Sequence, residues 1–171
     1  GFPGGVKIDQ LARDANPQAF HFPQALLDAG NMDFSFSGLK SAGLRLVQSM
    51  SADEIEKLKS DLCASYQEAI VDVLIEKLDR AVTATQRQRV AITGGVSANS
   101  RLRGKAQDWA ARRRLLLEIP PIRYCTDNAA MIGVAGLWRL QKGQYSTQSL
   151  GASPKSLEGD FIFHQAAHDH Q

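Results

Sequence analysis

The segment VAITGGVSANSRLR, residues 90–103, joins a short apolar run to two adjacent glycines and a basic stretch. The β-branched residues in RVAIT (89–93) predict a strand, and residues 98–113 predict a helix. Gly94 and Gly95 then lie at the carboxyl end of a strand, where open α/β sheets bind their ligands. On these residues alone two alternatives stay open: an ordinary strand-to-helix turn, and a loop that holds a nucleotide.

Polar side chains follow the two glycines directly. Because glycine has no Cβ, the backbone of this turn can approach a flat ring or a phosphate closely. Ser97 is a candidate N-cap for the helix, whose first N–H groups would then face an anion. The side-chain amide of Asn99 offers one acceptor and two donors, which suits the hydroxyls of a ribose.

The chain after this turn continues the alternation of helix and strand. A second strand is predicted at residues 115–119, and the short connections favour parallel strands with right-handed crossovers. Two strands do not make a stable sheet by themselves. Further strands could lie in the predicted loop at 15–34, but we favour strands supplied by sequence outside this chain. The sequence therefore predicts a helix-rich α/β fold whose sheet is incomplete here.

Helices dominate the chain before residue 88. Between residues 51 and 84, apolar side chains recur at three- and four-residue steps, which predicts one long helix or a helix pair. Shorter helices are predicted at residues 6–15 and from Ser37, a candidate N-cap. A last helix is predicted to begin near Thr126 and to end by Gly143.

Composition excludes several classes of protein. An apolar share of 43% and a charged share of 22% are typical of a soluble globular protein. No apolar run approaches the roughly 20 residues that span a bilayer, so we expect no membrane partner. Cys63 and Cys125 lie far apart, which indicates two free thiols in a reducing compartment. Since the chain opens in mid-motif at Gly1, we expect it to be a fragment of a longer protein.

Four motifs occur in a fixed order along the chain: GFPGGVKID, DFSFSGLK, TGGVSAN and CTDNAAMIG. Together they resemble the TsaD family, the tRNA adenosine threonylcarbamoyltransferases that were formerly named O-sialoglycoprotein endopeptidases or glycoproteases. The resemblance extends from Gly1 to about residue 143. Each motif is weak alone, whereas the four in this order and spacing are highly specific.

The resemblance implies a fold of the actin/Hsp70/sugar-kinase type, with RNase H-like halves around a nucleotide cleft. This chain would be the carboxyl-terminal part of it. Within residues 1–143, a helical insertion would span 36–84, and the α/β part that binds nucleotide and metal would span 89–143. Residues 144–171 would form a tail.

The resemblance also implies a reaction. Proteins similar to TsaD transfer the threonylcarbamoyl group of threonylcarbamoyl-AMP to N6 of the adenosine beside the anticodon, in tRNAs that read codons starting with A. The implied cofactor is one divalent metal ion, iron or zinc. The implied partners are tRNA and proteins similar to TsaB and TsaE, in the cytoplasm. We expect the full-length protein to be the enzyme and this part to be inactive alone.

Individual site residues follow from the motif positions. Gly5 matches the family's glycine at the nucleotide, and Asp9, four residues on, matches a carboxylate whose oxygens would accept bonds from the ribose. Asn99 matches the asparagine that contacts the nucleoside, and Gly94 and Gly95 would shape the same wall.

The metal site rests on one residue of this chain. Asp127 matches the family's metal-binding aspartate, and the His-x-x-x-His pair that would complete the site belongs upstream of Gly1. The alternative is that Asp127 only caps the following helix. Met131 and Trp138 at helical spacing are expected in the core. His164 and His168 have the spacing of a metal pair, but we interpret them as part of the tail.

Basic residues cluster after the glycine turn, at Arg101, Arg103, Lys105 and 112–114. They could contact tRNA phosphates, but a solvated basic face is the favoured interpretation. Two other functions compete with the transferase. One is a nucleotide-binding or interaction module with an actin-like fold, and the other is the metallopeptidase of the older family name. The second has no support, since the chain has no His-Glu-x-x-His and no convincing nucleophile triad.

Overall fold

The computed structural model describes residues 3–24 and 32–146, and the chain divides into two compact units, Gly1–Cys125 and Thr126–Gln171. The first unit contains α1 (Gly4–Leu11), α2 (Ser37–Gln48), α3 (Ala52–Thr85), β1 (Arg89–Ala91), α4 (Ser100–Arg113) and β2 (Leu116–Glu118), and the second contains α5 (Ala129–Gln141). This arrangement confirms a helix-rich α/β fold. The predicted tail histidines lie outside the described residues, and the predicted domain division stays a prediction.

Helix α3 is one continuous helix of 34 residues. It starts at a capping box in which the Ser51 amide donates to a Glu54 carboxylate oxygen at 2.8 Å and the Glu54 amide donates to the Ser51 hydroxyl. These hydrogen bonds from Ser51 hold the pKa of the Glu54 carboxyl below its ordinary value. The helix ends where Gln86 adopts a left-handed conformation, with φ of 55°. The apolar periodicity therefore predicted this element correctly.

The larger core cluster lies between α3 and α4. It joins buried apolar residues of both helices, among them Val71, Ile75, Leu102, Ala106 and Trp109. The indole N–H of Trp109 donates to a carboxylate oxygen of Asp79 at 2.7 Å, which satisfies the one polar atom that this ring buries. Helix α4 is thereby fixed against the carboxyl-terminal half of α3.

A smaller core cluster holds α2 against α3. Leu39 of α2 packs with Phe22 and Ala69, and Phe22 meets Tyr66 edge to face with ring centroids 5.3 Å apart. A Cβ on Gly43 would lie 2.9 Å from the Tyr66 ring, so glycine permits this close approach. The predicted N-cap Ser37 is wrong: Phe36 holds that position and Ser37 is the first helical residue.

The sheet consists of two short parallel strands in the described part of the chain. Val90 is paired with Leu117, and both pack on the larger core cluster, while the residues on the other face are exposed. The parallel pairing around α4 is confirmed, although each strand has three residues rather than the five predicted. The described parts of the loop, 15–24 and 32–34, contain no strand.

Helix α5 corrects two predictions. Its N-cap is Asn128 rather than Thr126, since the Asn128 side-chain oxygen accepts from the Met131 amide at 3.0 Å. Met131 and Trp138 are not in a core: 51% and 55% of their surface is exposed. The helix is apolar on every side, so spacing alone marks no buried face, and the described residues leave all of its large apolar side chains exposed. No helix in the described ranges is long and apolar enough to cross a membrane.

Candidate functional site

Helix α1 carries Gly5 and Asp9 on one face, because residues four apart are neighbours on a helix. Both glycines of its first turn are exposed, and a Cβ on either would meet no atom within 4 Å. Asp9 is partly buried, whereas Gly5 is exposed. The start of α1 is therefore a bare surface one turn away from a carboxylate.

The glycine turn after β1 places Asn99 at the start of α4. Gly94 has φ of 87°, a conformation that residues with a side chain rarely adopt. A single 3-10 turn over Gly95–Ala98 follows, and the buried Ser97 hydroxyl donates to the Gly94 carbonyl at 2.7 Å. The predicted cap Ser97 is thus wrong, because its hydroxyl closes the turn instead. Asn99 is the N-cap, and its side-chain oxygen accepts from the Leu102 amide at 2.9 Å.

Asp9 and Asn99 meet although 90 residues separate them in the sequence. The side-chain nitrogen of Asn99 donates to Oδ1 of Asp9 at 3.2 Å. The hydroxyl and the backbone amide of Ser100 donate to the same oxygen, at 2.7 and 3.2 Å. The aspartate thereby holds α1 against the amino end of α4. We call Asp9, Gln67, Asn99 and Ser100 the polar cluster.

Gln67 of α3 is the member of the polar cluster that the motifs did not predict. It is 7% exposed, and its side-chain oxygen accepts from the Asn99 side-chain nitrogen at 2.7 Å. A signal was present in the sequence, since Gln67 lies four residues before Val71 on the apolar stripe of α3. A polar side chain on a buried helix face needs a hydrogen-bond partner, but sequence periodicity does not identify that partner.

At Asp9 and Asn99, the remaining hydrogen-bonding capacity of the polar cluster is that of an acceptor. Both hydrogens on the Asn99 side-chain nitrogen are used, by Asp9 and Gln67. What remains is the second lone pair of the Asn99 oxygen, together with Oδ2 of Asp9, which accepts only a long 3.3 Å bond from Ser100. The Asp9 and Asn99 side chains therefore suit a ligand that donates, such as a pair of hydroxyls.

The amino end of α4 does not offer the free anion site that the sequence suggested. Two of its first backbone N–H groups, those of Ser100 and Leu102, already donate to Asp9 and Asn99. Gly94 and Gly95, in contrast, are exposed, and a Cβ on either would meet nothing within 4 Å. Open backbone for close approach of a ligand thus lies at the two glycines rather than at the first turn of α4.

Arg101 and Lys105 of α4 pair with acids of α3, so the predicted solvated basic face is wrong for these two residues, whereas Arg112 and Arg114 are exposed. Arg101 donates twice to the Glu68 carboxylate, at 2.5 and 2.8 Å, and Lys105 donates to Glu68 and to Asp72. The hydrogen bond from Arg101, with further help from Lys105, outweighs burial and lowers the pKa of Glu68. The same pairing raises the pKa of Arg101. Their positive charge is therefore compensated within the fold.

Two further basic residues are also engaged. Arg103 donates to the Pro120 carbonyl and to the sulfur of Cys125, and Arg113 pairs with Asp79 at 2.9 Å. Cys63 and Cys125 are free thiols, as the sequence predicted. These contacts leave fewer cations for phosphate than the sequence count indicates.

A small cavity of about 130 Å³ adjoins the polar cluster. Gln67 lines it together with Arg13, Glu68 and Arg101, so its wall is charged and polar. The cavity has room for a few water molecules and is too small for a nucleotide. It borders the candidate site on the side of α3.

Asp127 belongs to the second unit and is exposed. The capping alternative for it is wrong, because Asn128 occupies the N-cap of α5. Its carboxylate has no hydrogen-bond partner in the described ranges, so its oxygens are available to a cation. Within those ranges, no group of three or more His, Cys, Asp or Glu side chains could hold a metal ion. Asp127 alone is a single exposed carboxylate and does not form a metal site with other described residues.

Comparison with known proteins identifies relatives of this chain. A family model described as TsaD, tRNA N6-adenosine threonylcarbamoyltransferase, matches residues 1–134. A protein of that name from Bdellovibrio bacteriovorus is 55% identical over 161 residues, which cover 94% of this chain and 47% of the relative. Namesakes from Anaeromyxobacter dehalogenans and Thermosipho africanus are 49% and 41% identical over 154 residues, 90% of this chain and 46% of each relative. The chain spans about half the length of the curated relatives that it matches.

Proposed function

The chain belongs to the TsaD family, the tRNA N6-adenosine threonylcarbamoyltransferases, and from that premise we propose the reaction of the full-length protein that contains it. The protein transfers the threonylcarbamoyl group of threonylcarbamoyl-AMP to N6 of the adenosine beside the anticodon, in tRNAs that read codons starting with A. The amine attacks the carbamoyl carbon and loses a proton, a C–N bond forms, and AMP leaves as the bond to its phosphate oxygen breaks.

One observation supports a nucleoside site in this chain: Asp9 and Asn99, which are 90 residues apart in the sequence, form a hydrogen bond. Their unused lone pairs, on Oδ2 of Asp9 and on the Asn99 side-chain oxygen, are two acceptors on adjacent side chains. The vicinal hydroxyls of a ribose are two donors on adjacent carbons. We therefore place the ribose of the adenylate at the polar cluster.

We place the remaining part of the adenylate, its ring and phosphate, against three glycines. Gly5, Gly94 and Gly95 are exposed and carry no Cβ, so a ring or a phosphate can lie directly on their backbone. Because Gly5 lies one helical turn before Asp9, and the other two lie just before Asn99, each glycine adjoins a residue of the ribose site. The nucleotide wall thus consists of these three glycines and the polar cluster.

Asp127 supplies an oxygen ligand to iron or zinc, and the remaining ligands come from outside the described residues. The chemistry that such an ion supplies when bound is Lewis-acid polarisation of the acyl-adenylate. Its exposed carboxylate, left free by the Asn128 cap, supports this role. The proposal includes the actin-like fold, a cytoplasmic location, and assembly with tRNA and with proteins similar to TsaB and TsaE.

The transferase proposal is tested with the full-length protein, threonylcarbamoyl-AMP, partner proteins and unmodified tRNA. Mass spectrometry of the tRNA nucleosides should show threonylcarbamoyladenosine. Asp9→Ala should raise the KM for the adenylate about 10-fold or more, since at least one hydrogen bond to a charged acceptor is lost. The matched control is Asp14→Ala, because Asp14 is exposed and outside the cluster. Absence of the modified nucleoside with the wild-type protein would contradict the proposal.

A further inference from the structure

Gln67 is buried in α3 and contacts Asn99, yet no motif of the chain includes it. We propose that Gln67 is a positioning residue for the nucleoside: by accepting one amide hydrogen of Asn99, it keeps the Asn99 oxygen available as an acceptor. This inference rests on the proposed function, because it assigns Gln67 a role in that same nucleoside site.

The contacts of Asn99 define a single orientation of its amide. Its oxygen must face the Leu102 amide, from which it accepts at 2.9 Å. The nitrogen then faces Gln67 and Asp9, at 2.7 and 3.2 Å. The contact with Gln67 is the shorter of the two, so Gln67 is the principal restraint on the nitrogen side.

The support behind Gln67 is rigid. It lies four residues before Val71, which is 2% exposed in the larger core cluster, on a helix that runs without interruption from Ala52 to Thr85. A side chain 7% exposed on such a helix has little freedom to move away from Asn99. Gln67 thus connects the core to a residue of the candidate site.

Loss of the Gln67 acceptor would change what the polar cluster offers to a ligand. One hydrogen of the Asn99 nitrogen would lose its partner, and an unpaired donor in a partly buried place is unfavourable. The amide would then turn toward the remaining acceptor, Asp9, and engage the carboxylate oxygens that the ribose needs. Affinity for a ribose should therefore fall although Gln67 does not contact it.

The test uses the full-length protein with AMP as the probe, measured by calorimetry, and with steady-state kinetics for the adenylate. Gln67→Met keeps the length of the side chain without its acceptor and should weaken AMP binding about 3- to 10-fold. KM should rise by the same factor while kcat stays unchanged, because the ribose is held equally in substrate and transition state. Gln67→Glu retains an acceptor and should bind AMP at least about 2-fold more tightly than Gln67→Met.

Ser65→Ala is the matched control, since Ser65 is equally buried on α3 but bonds to the loop at Asn16 and Phe20. It should lower thermal stability and leave AMP affinity unchanged. If Gln67→Met does not fold, Gln67→Asn takes its place, because its shorter side chain withdraws the acceptor. Equal AMP affinity in wild type and Gln67→Met would overturn the role of Gln67, as would an equal loss in Ser65→Ala.

A second readout separates this inference from the proposed function. The side-chain amide resonance of Asn99 reports the hydrogen bond to Gln67 without any ligand, and it should shift in Gln67→Met and not in Ser65→Ala. If the wild-type protein does not bind AMP, the nucleoside site itself is wrong, whatever the amide shows. If AMP binds but the Asn99 resonance is the same in wild type and Gln67→Met, Gln67 does not position Asn99.

Discussion

Replacing Asp9 by alanine is the perturbation that separates α1 from α4 most directly. In the first unit, three donors converge on one oxygen of this carboxylate, from the Asn99 nitrogen and from the amide and hydroxyl of Ser100. Helix α1 contains no buried residue of its own, so these bonds contribute much of its attachment to α4. The variant should therefore lose stability without leaving a cavity in the core.

The magnitude follows from the number and kind of these bonds. Hydrogen bonds to a charged group contribute about 1.5–3 kcal/mol each, and a carboxylate at a helix amino end adds about 0.3–1 kcal/mol. Because Asp9 is only partly buried, we take the lower values and count the two side-chain donors. Asp9→Ala should then lower the free energy of unfolding by about 3 kcal/mol, whereas Asp9→Asn, which keeps an acceptor, should cost about 1 kcal/mol.

Chemical denaturation followed by circular dichroism measures these differences. Asp14→Ala is the control, because Asp14 is exposed and an exposed substitution changes stability by less than about 0.5 kcal/mol. The three variants should rank in stability as Asp14→Ala, then Asp9→Asn, then Asp9→Ala. If Asp9→Ala and Asp14→Ala have the same free energy of unfolding, Asp9 does not anchor α1.

Three further predictions follow from individual contacts. Asn128→Ala should destabilise α5 by about 1 kcal/mol through loss of its cap. Asp127→Ala should leave stability unchanged and lower the metal content of the full-length protein. Equal metal content in wild type and Asp127→Ala would refute the ligand role of Asp127. Gly43→Ala should lower the free energy of unfolding by about 1–3 kcal/mol in a denaturant titration, because the new Cβ lies 2.9 Å from an aromatic ring of α3. The control is Gly38→Ala, whose new Cβ meets nothing within 4 Å and should lower it by less than about 0.5 kcal/mol. Glu68→Gln should destabilise the fold by about 1–2 kcal/mol at neutral pH. Because the pKa of Glu68 is lowered from 4.5, the difference in the free energy of unfolding between wild type and variant should be complete above pH 4.5. It should vanish as the pH falls through the lowered pKa. A difference that persists in acid would contradict this last pairing.

Local sequence signals predicted the local elements and the order of the fold. The apolar periodicity of α3 and the β-branched run before Gly94 depend on neighbours in sequence, so a single stretch was sufficient for each. The N-caps were harder, because Ser97 and Asn99 are both good capping residues and only the conformation of the turn decides between them. At the other end, Asn128 rather than Asp127 caps α5 for the same reason.

Contacts between segments that are distant in the chain could not be predicted from the sequence. The motifs indicated Asp9 and Asn99 separately, but nothing in a single sequence shows that Gln67 would satisfy the Asn99 amide. A solvated basic face on α4 is the expectation from the sequence, because the acids that pair with Arg101 and Lys105, such as Glu68, lie about 35 residues earlier. The apolar residues of α5 predict burial, whereas the structure leaves its large apolar side chains exposed within the described residues.

The central claim is that the polar cluster binds the ribose of an adenylate by accepting from its hydroxyls. Calorimetry of the full-length protein with AMP and with 2′,3′-dideoxy-AMP tests it most directly, since the two ligands differ only in those donors. Wild type should bind AMP at least about 10-fold more tightly than the dideoxy nucleotide, because two hydrogen bonds are lost with the hydroxyls. In Asp9→Ala, the ratio of the two affinities should fall to about 3-fold or less, since only the acceptor on Asn99 remains. Equal affinities of the wild-type protein for the two nucleotides would contradict the claim.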